Sequence, residues 1–295
     1  MKVLITGSQG QLGKAIISNS PASSELIITS KNDFDLRNRS LCLDKIFFYK
    51  PDWIINCGAY TKVDKAEGCP DLAFSINADS VRFISDALKK INGNLLQIST
   101  DYVFDGTKNK PYKPNEKKNP QNVYGKSKAF AENIFENDLN SNGKGFIIRT
   151  SWLMGSSGDN FALKILRLLK ERKTLHIVCD QIGCPTTTFS LARVCWKAID
   201  KYNFDKNDSF PKILHWSDAG VASWYDVAVA IKEIGVELGI LKNPANIVPI
   251  TSDAYQSMAK RPFFSLLDSE ETHNLLDIPY EHWRKQLYEI FRNLD

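Results

Sequence analysis

The sequence predicts an α/β fold, a doubly wound parallel sheet with a smaller C-terminal domain for substrate over the sheet's carboxyl edge. Three observations carry this. Short apolar runs alternate with helical patterns over residues 3–150, the rhythm of βαβ units. The first run, Val3-Leu-Ile5, feeds into Gly7-Ser-Gln-Gly10-Gln-Leu-Gly13 and a helix start at Lys14-Ala-Ile-Ile17. Strand, glycine turn and helix in that order are the context of a Rossmann-type dinucleotide site. Beyond residue 150 the alternation loosens, which marks the second body. The expected division is 1–151 plus about 187–222 for the Rossmann domain, with about 152–186 and 223–295 for the substrate domain.

Composition narrows the function classes. The 295 residues are 43% hydrophobic and 24% charged, with a net charge of +4, ordinary for a globular protein. The lysines from Lys108 to Lys118 are interrupted by Pro111 and Pro114, so they read as a solvated loop and not as a nucleic-acid surface. Cysteines 42, 57, 69, 179, 184 and 195 form no C-x-x-C pair, and histidines 176, 215, 273 and 282 have no helical ligand spacing. No metal site is expected. Val3-Leu-Ile5 is too short for a signal-peptide core, and no apolar run reaches the ~18 residues of a membrane span. A cytoplasmic protein without membrane or nucleic-acid partners is expected.

In chain order, Gly7 permits a tight turn, Gly10 lets backbone approach a pyrophosphate, and Gly13 lets the helix pack close. The amides of Gln9, Gln11 and Leu12 share that turn, where the helix dipole meets phosphates. The alternative is a strand–helix turn that needs glycine for itself. Glu25 to Ser30 is a second strand. It ends in Ser30-Lys31, a hydroxyl and an ammonium that suit a 2′-phosphate, so NADPH is favoured, with NADH possible given Asp33 and Asp35 nearby. Asp35-Leu36 could border the adenine. Leu41 to Tyr49 reads as a helix and Trp53 to Cys57 as a third strand. The residues after it, through Gly58, Ala59, Tyr60 and Thr61, fall at the sheet's ligand-binding edge. Phe74 to Lys90 has one long amphipathic period; Asn77 within it faces either the cofactor or solvent.

Asn94 to Thr100 is a fourth strand. A threonine hydroxyl at its end can donate to a substrate carbonyl, or simply form the turn. Tyr124 and Lys128 then fall four apart in Asn122-Val-Tyr-Gly-Lys-Ser-Lys128, on one helix face with Cβ atoms roughly 5–6 Å apart. An ammonium there would lower the tyrosine pKa and make a usable acid; the alternative is a chance pair at a solvated helix start. Gly145 to Thr150 is the fifth strand. Helices follow at 160–172, 190–201 and 224–238, strands at 175–178 and 212–215, an extended segment at 247–250, and a last helix from about Tyr280.

These strings, in this order, resemble the extended short-chain dehydrogenase/reductase family and, within it, the dTDP-4-dehydrorhamnose reductases. The most specific are Ser99-Thr-Asp-Tyr-Val-Phe104 and Asp180-Gln-Ile-Gly-Cys-Pro-Thr186, with Asn56-Cys-Gly-Ala-Tyr-Thr61, Arg149-Thr-Ser-Trp152 and Arg261-Pro262 beside them. The resemblance implies reduction of dTDP-4-dehydro-β-L-rhamnose to dTDP-β-L-rhamnose. It implies a catalytic trio of Thr100, Tyr124 and Lys128, with Lys128 also on the nicotinamide ribose. Cys57 to Tyr60 would border the cofactor. Thr61, Val63, Asp64, Asp101, Tyr102, Trp152 and Arg261 would meet the nucleotide sugar. Lys14-Ala15 offers no acidic residue for the metal-bridged dimer of some members, so a monomer or homodimer without metal is expected. Two other readings stay open: a sister enzyme reducing another nucleotide-activated 4-keto-6-deoxy sugar for a spore or capsule polysaccharide, and a non-catalytic module like the regulatory subunit of methionine adenosyltransferase.

Overall fold

A computed structural model describes residues 1–138, 144–205 and 210–294. The chain begins β1 (Lys2–Thr6), α1 (Gln11–Ser18), β2 (Glu25–Ile28), α2 (Arg39–Tyr49) and β3 (Trp53–Asn56). Next come α3 (Val63–Gly68) and α4 (Pro70–Phe74), a π-helical turn at Ser75–Asp79, α5 (Ser80–Ile91) and β4 (Asn94–Thr100). A 3₁₀ turn, Asp101–Val103, precedes α6 (Val123–Asp138) and β5 (Gly145–Thr150). The rest is β6 (Leu153–Met154), α7 (Phe161–Glu171), β7 (Thr174–Val178), β8 (Ile182–Gly183), β9 (Thr186–Thr187) and α8 (Thr188–Phe204). It ends with β10 (Ile213–Trp216), β11 (Ala222–Ser223), α9 (Trp224–Glu237), β12 (Asn246–Ile250), α10 (Glu270–Leu276) and α11 (Trp283–Arg292).

Six strands form one sheet in the order β10-β5-β4-β3-β1-β2, every neighbour parallel. Both faces are covered, which is why the strands are continuous apolar runs. Alternation sends Val3, Ile5, Ile55 and Phe146 to one face, against α8. It sends Leu4, Ile54, Leu95 and Ile147 to the other, with α2, α5 and α6. The chain leaves β1 for β2 on one side and returns to β3 on the other. A crevice therefore opens at the carboxyl ends of β1 and β3, the switch point of such sheets. A separate cluster joins α7, β7, α9 and α11. Among the described residues, no helix is long and apolar enough to cross a membrane.

Some local expectations fail. The helix expected to run unbroken from Phe74 starts at Pro70 and contains the π turn. That turn carries Asn77 inward, 2% exposed. Its Oδ1 accepts the Tyr60 N–H at 2.7 Å, and its Nδ2 donates to Tyr60 O at 3.1 Å and Ser127 Oγ at 2.8 Å. Asn77 thus faces neither solvent nor cofactor; it ties the loop after β3 to α6. The lysine loop is not simply solvated, because Lys118 pairs with Glu136 at 3.0 Å and with buried Glu132 at 3.4 Å. The final helix starts at Trp283.

Glu132 and Arg149 form a fully buried ion pair, Nη2 to Oε2 at 2.7 Å and Nε to Oε1 at 2.9 Å. Ser99 Oγ donates to the same carboxylate at 2.5 Å. Arg149 Nη1 donates to Pro114 O at 2.9 Å. The pair locks α6 and the 111–120 loop onto β4 and β5. Replacing Arg149 with Met leaves the buried carboxylate with only Ser99 and the more distant Lys118, and removing one partner of a buried pair costs about 3–5 kcal/mol. Urea unfolding of Arg149→Met should show that loss; a change near zero would refute the role given to the pair.

Candidate active site

The carboxyl ends of β1, β3, β4 and β5 open on a cleft of about 610 Å³. Gly7 has φ +62°, and a Cβ there would lie 2.7 Å from the Gly58 Cα. A Cβ on Gly13 would lie 2.4 Å from Gly7 O, so β1 and α1 approach as closely as they do only with hydrogen at both places. Gly10 occupies the N-cap of α1 without a side-chain cap. The first-turn amides therefore face the cleft unclaimed by the protein's own side chains, the donor set a pyrophosphate takes. This cradle fits a dinucleotide.

Across the cleft, Thr100 ends β4. Its Oγ1 donates to Asp101 Oδ1 at 3.0 Å and accepts the Tyr102 N–H at 3.2 Å, capping the 3₁₀ turn. Tyr124, on the first turn of α6, sits close enough to Thr100 for that side chain to act on its hydroxyl, and its ring meets Tyr102 edge-on at 5.7 Å. Lys128, 3% exposed, donates from Nζ to Ile98 O at 2.6 Å. That carbonyl also accepts Gln97 Nε2 at 2.8 Å. Gln97 Oε1 accepts Asn56 Nδ2 at 2.8 Å, Asn56 Oδ1 accepts the Thr6 hydroxyl at 2.5 Å, and Thr6 Oγ1 accepts the Gly58 N–H at 3.1 Å. A buried chain of polar groups thus links the glycine crevice to Lys128.

The electrostatics correct one expectation. Tyr124 is not lowered by Lys128. Burial pushes it up to about 12, opposed by the Thr100 side chain and reinforced by Asp101; the ammonium is turned onto Ile98 instead. Burial pushes Lys128 down to about 8, with Glu132 and Cys57 working the other way. Burial also raises Asp101 to about 6, against hydrogen bonds from Ser265 and Thr100.

Most residues expected from sequence meet here. Gly7, Gln9, Gly10, Gln11, Leu12, Gly13, Cys57, Ala59, Thr61, Val63, Thr100, Asp101, Tyr102, Tyr124, Lys128 and Trp152 all line the cleft. Others stand behind or beside its wall. Gly58 packs under Leu36, whose Cδ1 lies 2.5 Å from where a Cβ would be. The Tyr60 backbone is held by Asn77. Ser30 Oγ donates to Asp33 at 2.6 Å, and Lys31 is exposed. Asp35 is lowered to about 2 by a hydrogen bond from Arg37, at 2.6 Å. Sequence reading missed Arg37, which pairs with Asp35 in the loop after β2. Asp64 and Arg261 bind each other at 2.6 Å. Trp224 also lines the cleft and was missed; Ser223-x-x-Asp226, the capping box that starts its helix, was the available signal.

Comparisons with known proteins place the whole chain in one family. Residues 1–295 match the family model for the RmlD substrate binding domain. The chain is 36% identical to a dTDP-4-dehydrorhamnose reductase of Aggregatibacter actinomycetemcomitans, over 98% of each chain. It is 33% identical to the spore coat polysaccharide biosynthesis protein SpsK of Bacillus subtilis, over 99% of this chain and 97% of that one. The solved dTDP-4-dehydrorhamnose reductase of Bacillus anthracis in complex with NADP superposes with a TM-score of 0.88 at 33% identity, covering 99% and 98% of the two chains.

The lysine shift is measurable. The folded chain holds the Lys128 proton more weakly than the unfolded chain does, so the group opposes folding at neutral pH. That penalty is relieved as pH rises from about 8 towards the ordinary 10.5. In ¹³C-labelled protein, one lysine Cε resonance should titrate near pH 8 and vanish in Lys128→Met. Titration of every lysine above pH 10 would contradict the burial described.

Proposed function

The chain belongs to the RmlD substrate binding domain family, and we propose that it reduces the 4-keto group of dTDP-4-dehydro-β-L-rhamnose with NADPH, giving dTDP-β-L-rhamnose. The carrying observation is the convergence of Thr100, Tyr124 and Lys128 on the wall of the glycine-lined cleft. NADPH, when bound, supplies the hydride. Thr100 holds the ketone oxygen through its hydroxyl. Tyr124 delivers the proton: with its pKa near 12 it is fully protonated at neutral pH, and an alkoxide is a stronger base than a phenolate, so transfer runs downhill. Lys128 remains largely charged at pH 7 and orients the cofactor's ribose.

The amides of Gly10 to Gly13 take the pyrophosphate, while Ser30 and Lys31 take the 2′-phosphate, helped by the neutralisation of Asp35. Leu36 borders the adenine, and Cys57 to Tyr60 the rest of the cofactor. Thr61, Val63, Asp64, Asp101, Tyr102, Trp152 and Arg261 receive the nucleotide sugar, with the guanidinium suited to its diphosphate. On this reading, residues 1–151 and 187–222 hold the cofactor, and residues 152–186 and 223–295 hold the substrate. Within the latter, Leu276 and Ile278 still pack on the main sheet's cluster. Six free cysteines suit a reducing cytoplasm. The likeness to SpsK favours one second reading, a sister reductase for another nucleotide 4-keto-6-deoxy sugar.

A panel of nucleotide 4-keto-6-deoxy sugars, assayed by NADPH oxidation, separates the two; no turnover with any of them would sink both. Tyr124→Phe should lower kcat by about 10²–10⁴-fold, the usual worth of a positioned acid, with NADPH affinity unchanged. Full activity in that variant removes Tyr124 as the acid. kcat/KM should favour NADPH over NADH, and a reversed preference would overturn the role given to Ser30 and Lys31.

A further inference from the structure

The string Asp180-Gln-Ile-Gly-Cys-Pro-Thr186 has no part in the chemistry above, yet it packs against the cleft. A Cβ on Gly183 would lie 2.7 Å from Trp152 Cε2, so only bare backbone lets that indole settle there. Trp152 itself has φ +45°, a conformation that a bulky residue keeps only when its surroundings enforce it. The main enforcer is Trp224. The two indoles stack with centroids 3.6 Å apart and planes 8° from parallel, and Phe161 leans on Trp224 at 4.5 Å. Both indoles line the cleft.

Gln181, 7% exposed, sets the register of this stack. Its Oε1 accepts Trp224 Nε1–H at 3.2 Å, and its Nε2 donates to Ser252 Oγ at 3.0 Å. Ser252 in turn donates from Oγ to Asp180 at 2.6 Å. From Ser252 the chain runs to Arg261, whose guanidinium reaches Asp64. These bonds tie the aromatic pair to the start of the segment that leads to Arg261.

We propose that Trp224 is a positioning residue for the sugar half of the substrate. It holds the Trp152 indole, which lies between the Gly183 backbone and Trp224, at the cleft wall so that the rims of the two indoles border the apolar side of a 6-deoxy hexose, with Gln181 fixing Trp224 in place. The proposal rests on the reductase reading. It separates sugar recognition from cofactor binding, because none of these groups belongs to the glycine cradle.

The test compares wild type, Trp224→Leu, Trp224→Phe, Gln181→Leu and Gln181→Glu. Readouts are KM and kcat for the dTDP-4-keto-6-deoxy sugar, NADPH affinity by fluorescence, and the circular-dichroism exciton couplet of stacked indoles. Trp224→Leu should abolish the couplet and raise the sugar KM about tenfold, the scale of a lost aromatic pair, with NADPH affinity as in wild type. Trp224→Phe should recover most of the KM. Gln181→Glu keeps the acceptor for the indole and should stay closer to wild type than Gln181→Leu. An unchanged KM in Trp224→Leu overturns the proposal, as does NADPH affinity falling in step with sugar affinity. If Trp224→Leu does not fold, Gln181→Leu decides: a raised sugar KM supports the proposal and an unchanged one refutes it. Wild type inactive on every nucleotide 4-keto sugar sinks the reductase reading and this proposal together; active wild type with unaltered variants sinks this proposal alone.

Discussion

The site depends first on the buried polar chain from the Gly58 amide through Thr6, Asn56 and Gln97 to the Ile98 carbonyl and Lys128. Its side chains, Thr6, Asn56, Gln97 and Lys128, are 0–3% exposed in a sheet otherwise filled with aliphatic side chains. A buried amide is tolerable only when bonded, and orphaning one costs about 1–3 kcal/mol. Each link therefore forces the next strand into place. Thr6 is the register partner of Asn56, and Asn56 of Gln97, so the bonds run straight across the ladder. The carboxyl ends of β1 and β3 are held level with each other, and β4 runs three residues further, to Thr100. The crevice for a dinucleotide and the height of Lys128 above it become one geometric fact.

The second constraint comes from the far side of α6. Glu132 lies one turn beyond Lys128, as Lys128 lies one turn beyond Tyr124, and its carboxylate is consumed by Arg149, Ser99 and Lys118. This clamps the helix to β4 and β5, so the Tyr124 hydroxyl reaches Thr100 at the end of β4. The same carboxylate limits how far burial can discharge Lys128. A dry pocket thus keeps a protonated phenol and a mostly charged amine side by side at neutral pH. Neither burial alone nor charge pairing alone would do this, because burial neutralises the lysine and an unscreened ammonium ionises the phenol.

What could be read from sequence divides along the same physical line. The parallel sheet, the glycine turn and the shared helix face of Tyr124 and Lys128 follow from local period and strand-end position, while the joining of Thr100 to that pair came from the resemblance, and all three line one cleft. The direction of the Tyr124 shift did not follow. Four-residue spacing reports which face a side chain shares, not where a flexible ammonium is drawn, and the Ile98 carbonyl is thirty residues away in sequence. Asn77 was ambiguous because a π turn breaks the 3.6 period on which facing is judged. The Asp35–Arg37 pair was close in sequence but hidden, because an acid in the loop after a second strand reads as a cofactor neighbour until its partner is seen. The Trp152–Trp224 stack joins residues 72 positions apart, and no periodicity signals such a contact.

Chemistry and recognition accordingly rest on different kinds of interaction. The proton donor and its neighbours stand on one sheet and one helix, held by bonds between adjacent strands. The proposed wall for the sugar is assembled from segments that meet only after the chain has returned over the cleft: Trp152 after β5, Gln181 and Gly183 before α8, Trp224 at the start of α9. The Asp64–Arg261 pair closes the same side by joining residues 197 apart. Asp64 occupies the first turn of α3, where the helix dipole already favours a carboxylate, so its hold on Arg261 does not depend on substrate. A change in the returning segments can therefore reshape the sugar pocket while the strand-end hydrogen bonds, and with them the geometry of proton delivery, stay as they are.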